Sequence, residues 1–311
     1  MNQKITPCIW FDKNCEEAIN FYTSVFPNSK VMDIMRYPEE VPEEFMKGME
    51  GKIITAIFEL SGYKFMALDG GPIFKPNPSV SFFLNFDPKK DNNASENLNK
   101  FWEKLSEGGK ALMPLQEYPF SKLYGWVEDK FGVSWQLILS DPNGDDRPFI
   151  FPSLLFVNDV VGKAEEAVDF WLSVFKDSKK GLVARYPKGM EPDKEGTIMF
   201  SDFMLENQWL AAMDSAHKHE FTFTEGLSLE VRTRDQEETD YYWKKLTSDG
   251  GQESQCGWLK DKYGVSWQIT PKRLGQLLTD PDNEKVDRVM KCMLKQKKIV
   301  IKELEDAYER K

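Results

Sequence analysis

Histidine is almost missing from this chain: there are two among 311 residues, His217 and His219. That scarcity leaves little material for metal centres ligated by imidazole. Cysteine is sparse too. Cys8, Cys15, Cys256 and Cys292 show neither a CxxC spacing nor a paired framework, which fits a reducing cytoplasm and excludes a disulfide scaffold. Basic residues are outnumbered, 41 Lys and Arg against 51 Asp and Glu, for a net charge of −10. A nucleic-acid partner needs a basic face and is therefore not expected. The exception is the segment from Lys285 onward, which is locally basic. No apolar run approaches the roughly 18 residues of a membrane span. The opening MNQKITPCIWFDKNCEEA also lacks the basic-then-apolar build of a signal peptide. A soluble cytoplasmic protein is expected, with no membrane partner.

What is present is repetition. GWVEDKFGVSWQL, from Gly125 to Leu137, returns as GWLKDKYGVSWQI, from Gly257 to Ile269. ITPCIWF (Ile5–Phe11) answers IFPSLLF (Ile150–Phe156), EEAINFYTSVF (Glu16–Phe26) answers EEAVDFWLSVF (Glu165–Phe175), and FMALD (Phe65–Asp69) answers LAAMD (Leu210–Asp214). The offsets drift only between segments, so insertions fall in loops and the domain is duplicated. The length agrees, at roughly 150 residues per domain. The first domain is expected over residues 1–140, a polar turn-rich linker over 141–149, the second domain over 150–272, and a helical tail over 273–311.

Each copy reads as strand, helix and strands, written twice. Ile5–Phe11 is an apolar run bounded by turn residues, a buried strand. Asn14 is placed to cap the next helix, with Glu16 and Glu17 in its first turn. Ile19, Tyr22, Val25 and Phe26 share one helical face. Strands follow near 30–37, 52–60 and 63–68, then the plan restarts with a strand at 79–86, a helix near 95–107 and strands near 123–128 and 133–139. In the tail, Val286, Val289, Met290, Met293 and Leu294 form an amphipathic stripe and 299–309 a further helix, expected to pack on the chain itself.

Paired βαβββ units, a helix EEAxxF[YW]xxVF and a final strand GVSWQ resemble the vicinal-oxygen-chelate superfamily of glyoxalase, bleomycin-resistance and extradiol dioxygenase proteins. The similarity is greatest to its PhnB-like family, commonly labelled 3-demethylubiquinone-9 3-methyltransferase. MALDGGP (Met66–Pro72), EYPFSKLYGWVEDKFGVSWQL (Glu117–Leu137) and CGWLKDKYGVSWQITPKRLGQLL (Cys256–Leu278) carry the resemblance. It implies an α+β fold: two tandem glyoxalase-like domains, each of paired βαβββ modules forming a cupped mixed sheet, plus the helical tail. It also implies four metal-ligand positions per copy. Matched residue by residue, these are Thr6, Ala67, Ser81 and Gln136 in the first, and Phe151, Ala212, Ser228 and Gln268 in the second. Neither set holds a His or a carboxylate, so no metal and no other cofactor is expected.

The expected activity is binding of a small molecule in the cups. Thr6, Trp10, Asp69, Ser81, Gln136, Asp214, Ser228 and Gln268 are the candidate lining residues. Each Gln has a competing reading as a buried amide satisfied by its neighbours, and Asp69 and Asp214 compete as turn-capping carboxylates. The HxH of His217 and His219 reads either as a chelating pair on a strand or as exposed loop. The alternatives in function are a metal-dependent lyase, isomerase or dioxygenase, and the methyltransferase of the family label. The second copy is expected to serve the first as a built-in partner, an intramolecular pseudo-dimer, with a further homodimer left open.

Overall fold

A computed structural model describes residues 3–37 and 48–310. Four βαβββ modules follow one another. The first holds β1 (Ile5–Phe11), α1 (Cys15–Val25), β2 (Lys30–Arg36), β3 (Ile53–Leu60) and β4 (Tyr63–Asp69). The second holds β5 (Val80–Phe86), α2 (Ala94–Ser106), β6 (Lys110–Tyr118), β7 (Ser121–Glu128) and β8 (Ser134–Leu139). The third holds β9 (Ile150–Phe156), α3 (Ala164–Val174), β10 (Lys179–Arg185), β11 (Ile198–Leu205) and β12 (Gln208–Asp214). The fourth holds β13 (Leu227–Thr233), α4 (Gln236–Leu246), β14 (Gln252–Glu253), β15 (Trp258–Lys260) and β16 (Ser266–Pro271). A tail of α5 (Lys272–Leu278), α6 (Asn283–Met293) and α7 (Ile301–Glu309) closes the described chain. The fold is α+β and tandem, with mixed sheets.

Two compact units are distinguished, Cys8–Leu227 and Met1–Pro7 with Ser228–Lys311. In the Cys8–Leu227 unit the strands run in the order β10-β11-β12-β9-β5-β8-β7-β6, and the greater part of β1 lies beside β4, β3 and β2. The second module therefore shares its sheet with the third: β5 pairs antiparallel with β9, Ser81 opposite Ser153 and Phe83 opposite Phe151. In the other unit the order is β14-β15-β16-β13, followed by the start of β1.

Alternation along each strand sorts side chains between two faces. On one face of the Cys8–Leu227 unit the rings meet helices. Trp135 packs on Tyr22 and Phe26 of the α1 region, with centroids 5.6 and 5.2 Å apart. Phe156 lies 6.1 Å from Trp171 of α3. Trp135, Trp171, Tyr22 and Phe156 are fully buried, and burying each such side chain contributes on the order of 2–3 kcal/mol.

The twice-written segment is a buried-carboxylate turn. Asp129 accepts from the amides of Phe131 (2.8 Å) and Val133 (3.0 Å), from the Trp135 indole (2.8 Å) and from the Tyr22 hydroxyl (2.8 Å). Asp261 receives the equivalent amide and indole bonds from Tyr263, Val265 and Trp267. Gly132 and Gly264 supply the positive φ (82° and 85°) that closes each turn.

The tail packs on its own unit, as expected. Leu274, Leu277, Val289, Ile299 and Leu304 form one buried cluster. Gln236 of α4 donates to the Ile299 carbonyl and accepts from the Ile301 amide, fixing the start of α7.

Candidate functional site

The face opposite the helices carries the candidate residues, and it differs between the units. In the Cys8–Leu227 unit, Gln136 donates to Ser81 Oγ at 2.8 Å and accepts from the Tyr124 hydroxyl at 2.6 Å. The Trp126 indole donates to Ser134 Oγ at 2.8 Å. Phe83, Tyr124, Phe151 and Ala211 form a buried cluster beside them, extended by Trp126, Phe200 and Trp209. The rings of Phe83 and Phe151 stack at 5.1 Å. This face is packed with the protein's own apolar side chains, and both polar atoms of its Gln are bonded. The EYPFSK turn adds to it: Phe120 sits 5.0 Å from Tyr124.

In the other unit the same strand positions carry different chemistry. Gln268 donates to Ser228 Oγ at 2.9 Å, as Gln136 does to Ser81. The residue at the Phe83 position is Glu230, directly beside Gln268 in the β13–β16 register. The Arg232 amide donates to the Lys4 carbonyl at 3.0 Å, which places Glu230 opposite Thr6, where the first face has Phe151. Thr6, Ser228, Glu230, Ser266 and Gln268 are all buried. The Glu230 Oε2 and Ser266 Oγ atoms accept no hydrogen bond. The Arg232 guanidinium lies 3.5 Å from that Oε2, on a side chain 45% exposed. Burial pushes the Glu230 carboxyl above the usual glutamate range, against the pull of Arg232 and Thr270. Position 256, equivalent to Tyr124, is a cysteine, so Gln268 lacks the phenol that donates to Gln136. Trp258 pairs with Gln268 across β15–β16 and shares this face.

A family model described as 3-demethylubiquinone-9 3-methyltransferase matches residues 3–138 and 148–270. The chain belongs to that family. Among solved structures it is similar to a PhnB protein from Bacillus cereus, at 41% identity over 44% of this chain and 100% of that one, with a TM-score of 0.39. Glyoxalase I from Zea mays covers 89% of this chain and 98% of its own length at 13% identity and a TM-score of 0.51, which shows a common fold. No curated protein matches the chain.

The ligand positions carried over from the glyoxalase-like superfamily regroup in this family member. Ser81 and Gln136 share a face with Phe151; Thr6 belongs to the unit of Ser228 and Gln268. Ala212 lies on the helix side, because its neighbour Ala211 is the one packed against Phe83 and Phe151. The donors do not fit a metal: an amide already bonded to a hydroxyl, hydroxyls and a single carboxylate replace imidazoles. Among the described residues, no group of three His, Cys, Asp or Glu side chains is placed to hold an ion.

Asp69 and Asp214 lie elsewhere. Asp69 accepts from the Lys13 amide (2.7 Å) and the Cys15 amide (3.3 Å), at the start of α1. Asp214 does the same for Gly162 (2.7 Å) and Ala164 (3.2 Å) before α3, and for Ile198 (3.0 Å). The structure thus spends both carboxylates on helix starts. Asn14, the expected cap, instead accepts from Asp12 at 3.3 Å. Trp10 donates its indole N–H to the Gly71 carbonyl at 2.8 Å and lies edge-on to Phe74. A Cβ at Gly70 would stand 2.2 Å from that indole, which accounts for the glycine in MALDGGP. His219 pairs with Ser215 Oγ at 2.9 Å, and His217 lies 3.5 Å from Asp193, both outside any strand. A cleft of about 550 Å³, lined in part by Phe74, Asn77, Asn158 and His219, contains none of the candidate residues. Among the described residues no helix is long and apolar enough to cross a membrane.

Proposed function

We propose that this protein binds a small molecule on the polar face formed by Thr6, Ser228, Glu230, Ser266 and Gln268, without a catalytic metal. The observation that carries the reading is the pair of buried acceptors there, Glu230 Oε2 and Ser266 Oγ, with no hydrogen-bond partner. Buried acceptors in native proteins are nearly always satisfied, by protein, water or ligand. The equivalent face, built around Gln136, meets most of its polar needs internally and fills the remaining space with aromatic rings. One face is therefore spent on packing and the other is kept for a ligand. Ser153 Oγ, also buried and unpartnered, stands alone beside that packed face.

The metal-free part of the reading rests on donor chemistry, since one carboxylate among hydroxyls and an amide is a poor match for zinc, nickel or iron. The methyl transfer in the family's description would need a bound methyl donor. Calorimetry of the full chain against a metabolite panel tests the reading. Saturable binding at one site per chain, lost in Gln268→Ala, is expected, with metal content far below stoichiometric after expression in supplemented medium. A tightly held equivalent of zinc, nickel or iron, or tight binding of S-adenosylmethionine, would replace it with one of the enzymatic readings.

A further inference from the structure

Two strand pairs of this chain carry the same quartet with one exchange. On β5 and β8 the quartet is Ser81, Phe83, Ser134 and Gln136; on β13 and β16 it is Ser228, Glu230, Ser266 and Gln268. The Ser–Gln bond is kept at 2.8 and 2.9 Å. Phenylalanine has become glutamate at a position 2% exposed, and its stacking partner has become Thr6. A buried carboxylate with one oxygen lacking a hydrogen bond is costly when ionised unless something cationic meets it. Arg232 meets it only partly, from 3.5 Å and with its side chain half in solvent.

The geometry points to a small organic cation, a primary ammonium or a guanidinium, as the ligand of this face, with Glu230 as its counter-charge. The inference rests on the binding reading above and names its ligand class. The free groups are the Glu230 Oε2, which when ionised can only accept, and, one same-face step away, the Ser266 hydroxyl, which can accept as well as donate. The Tyr124 donor of the other face is replaced by Cys256. An ammonium brings three N–H donors and a guanidinium five, which suits a carboxylate oxygen beside a hydroxyl, whereas a carboxylate or phosphate ligand would meet Glu230 as a like charge. Trp258 stands beside Gln268 on the same face, a residue type that can flank such a cation.

The test uses the full chain and five probes: benzylammonium, n-butylammonium, agmatine, benzyl alcohol and benzoate. Calorimetry is expected to give saturable 1:1 binding for at least one of the three cations and none for benzoate. Glu230→Gln should weaken that binding at least tenfold while circular dichroism and thermal unfolding show a folded protein, and Glu230→Asp should keep part of it. Saturable binding of benzyl alcohol or benzoate that is unchanged in Glu230→Gln but lost in Gln268→Ala would overturn the cation assignment and leave the binding face standing. Cation binding that Glu230→Gln leaves intact would also overturn it. Binding of none of the five probes would remove the cation assignment, whereas the broader panel decides the face itself.

Discussion

Four donors converge on the one carboxylate of Asp129, and they define what a substitution there does. An asparagine side chain at this position would turn an amide N–H₂ toward donors that already point inward. Asp129→Asn should therefore cost about 3 kcal/mol in urea unfolding, the scale for breaking buried charge-assisted bonds. Burial lifts the carboxyl from its ordinary 3.8 to about 6, although all four donors pull it down. A raised carboxyl binds its proton more tightly in the folded state, so its contribution to stability falls as pH rises from about 4 to about 6. Carbon-detected NMR of the Asp129 side chain should show a midpoint near 6; a midpoint below 4 would contradict this. Glu230 follows the same sign. Glu230→Gln removes the cost of an ionised buried group, and is expected to match the parent in acid and exceed it by about 1 kcal/mol near pH 8. Equal stability across that range would mean Glu230 is fully compensated by Arg232. Gln136 and Gln268 were legible in the sequence because GVSWQ is written twice. Glu230 was not: LSLEVRT alternates like a half-exposed strand, and only its burial distinguishes it. Setting LSLEVRT beside VSFFLNF, where Phe83 holds the same place, was the available signal.

At the scale of elements, α1 and α3 start on carboxylates supplied from a distant strand, whereas α4 and α6 are capped locally by Asp235 and Asp282. Asp69 reaches the amides of Lys13 and Cys15 across more than fifty residues, and Asp214 those of Gly162 and Ala164. Asp69→Ala leaves two amides near the α1 start unpaired and should destabilise by about 2 kcal/mol, whereas Asn14→Ala should cost under about 0.5 kcal/mol. Chemical denaturation of the two variants decides between the caps; a larger loss for Asn14→Ala would restore the local one. Local sequence favoured Asn14 because capping rules see only neighbours in the chain. The same limit explains β6. Lys110–Tyr118 carries Pro114, is mostly exposed, and pairs with β7 through repeated register shifts, so no clean alternation marks it. Helices α1, α3, α6 and α7 were readable, since each keeps a 3.6-residue apolar stripe. α5, seven residues long directly after β16, is too short for such a stripe to repeat.

At the scale of the whole molecule, repeats reveal how many modules there are but not which modules share a sheet. The paired segments and the doubled GVSWQ point to four βαβββ modules. Strand partnership is set by long-range pairing that no local pattern encodes, and here β5 chose β9 of the following copy. That choice makes the two copies parts of one sheet across the 141–149 linker. Phe83 stacks on Phe151 at 5.1 Å, and Arg147 of the linker holds buried Asp202 of β11 at 2.5 Å. Such contacts do not depend on the chain being continuous between Asn143 and Gly144, whose peptide bond mainly keeps the two pieces at high local concentration. A protease site inserted between Asn143 and Gly144 and cleaved in native buffer should leave both fragments eluting together at the size of the intact chain. Phe151→Ala, which removes the stacked ring at an expected cost of about 3–4 kcal/mol, should raise the concentration at which the cleaved fragments separate, leaving the β13–β1 pairing to hold them. Fragments that part as soon as the chain is cut would mean that the β5–β9 and β13–β1 pairings together are too weak to join the copies, and that each half stands by itself.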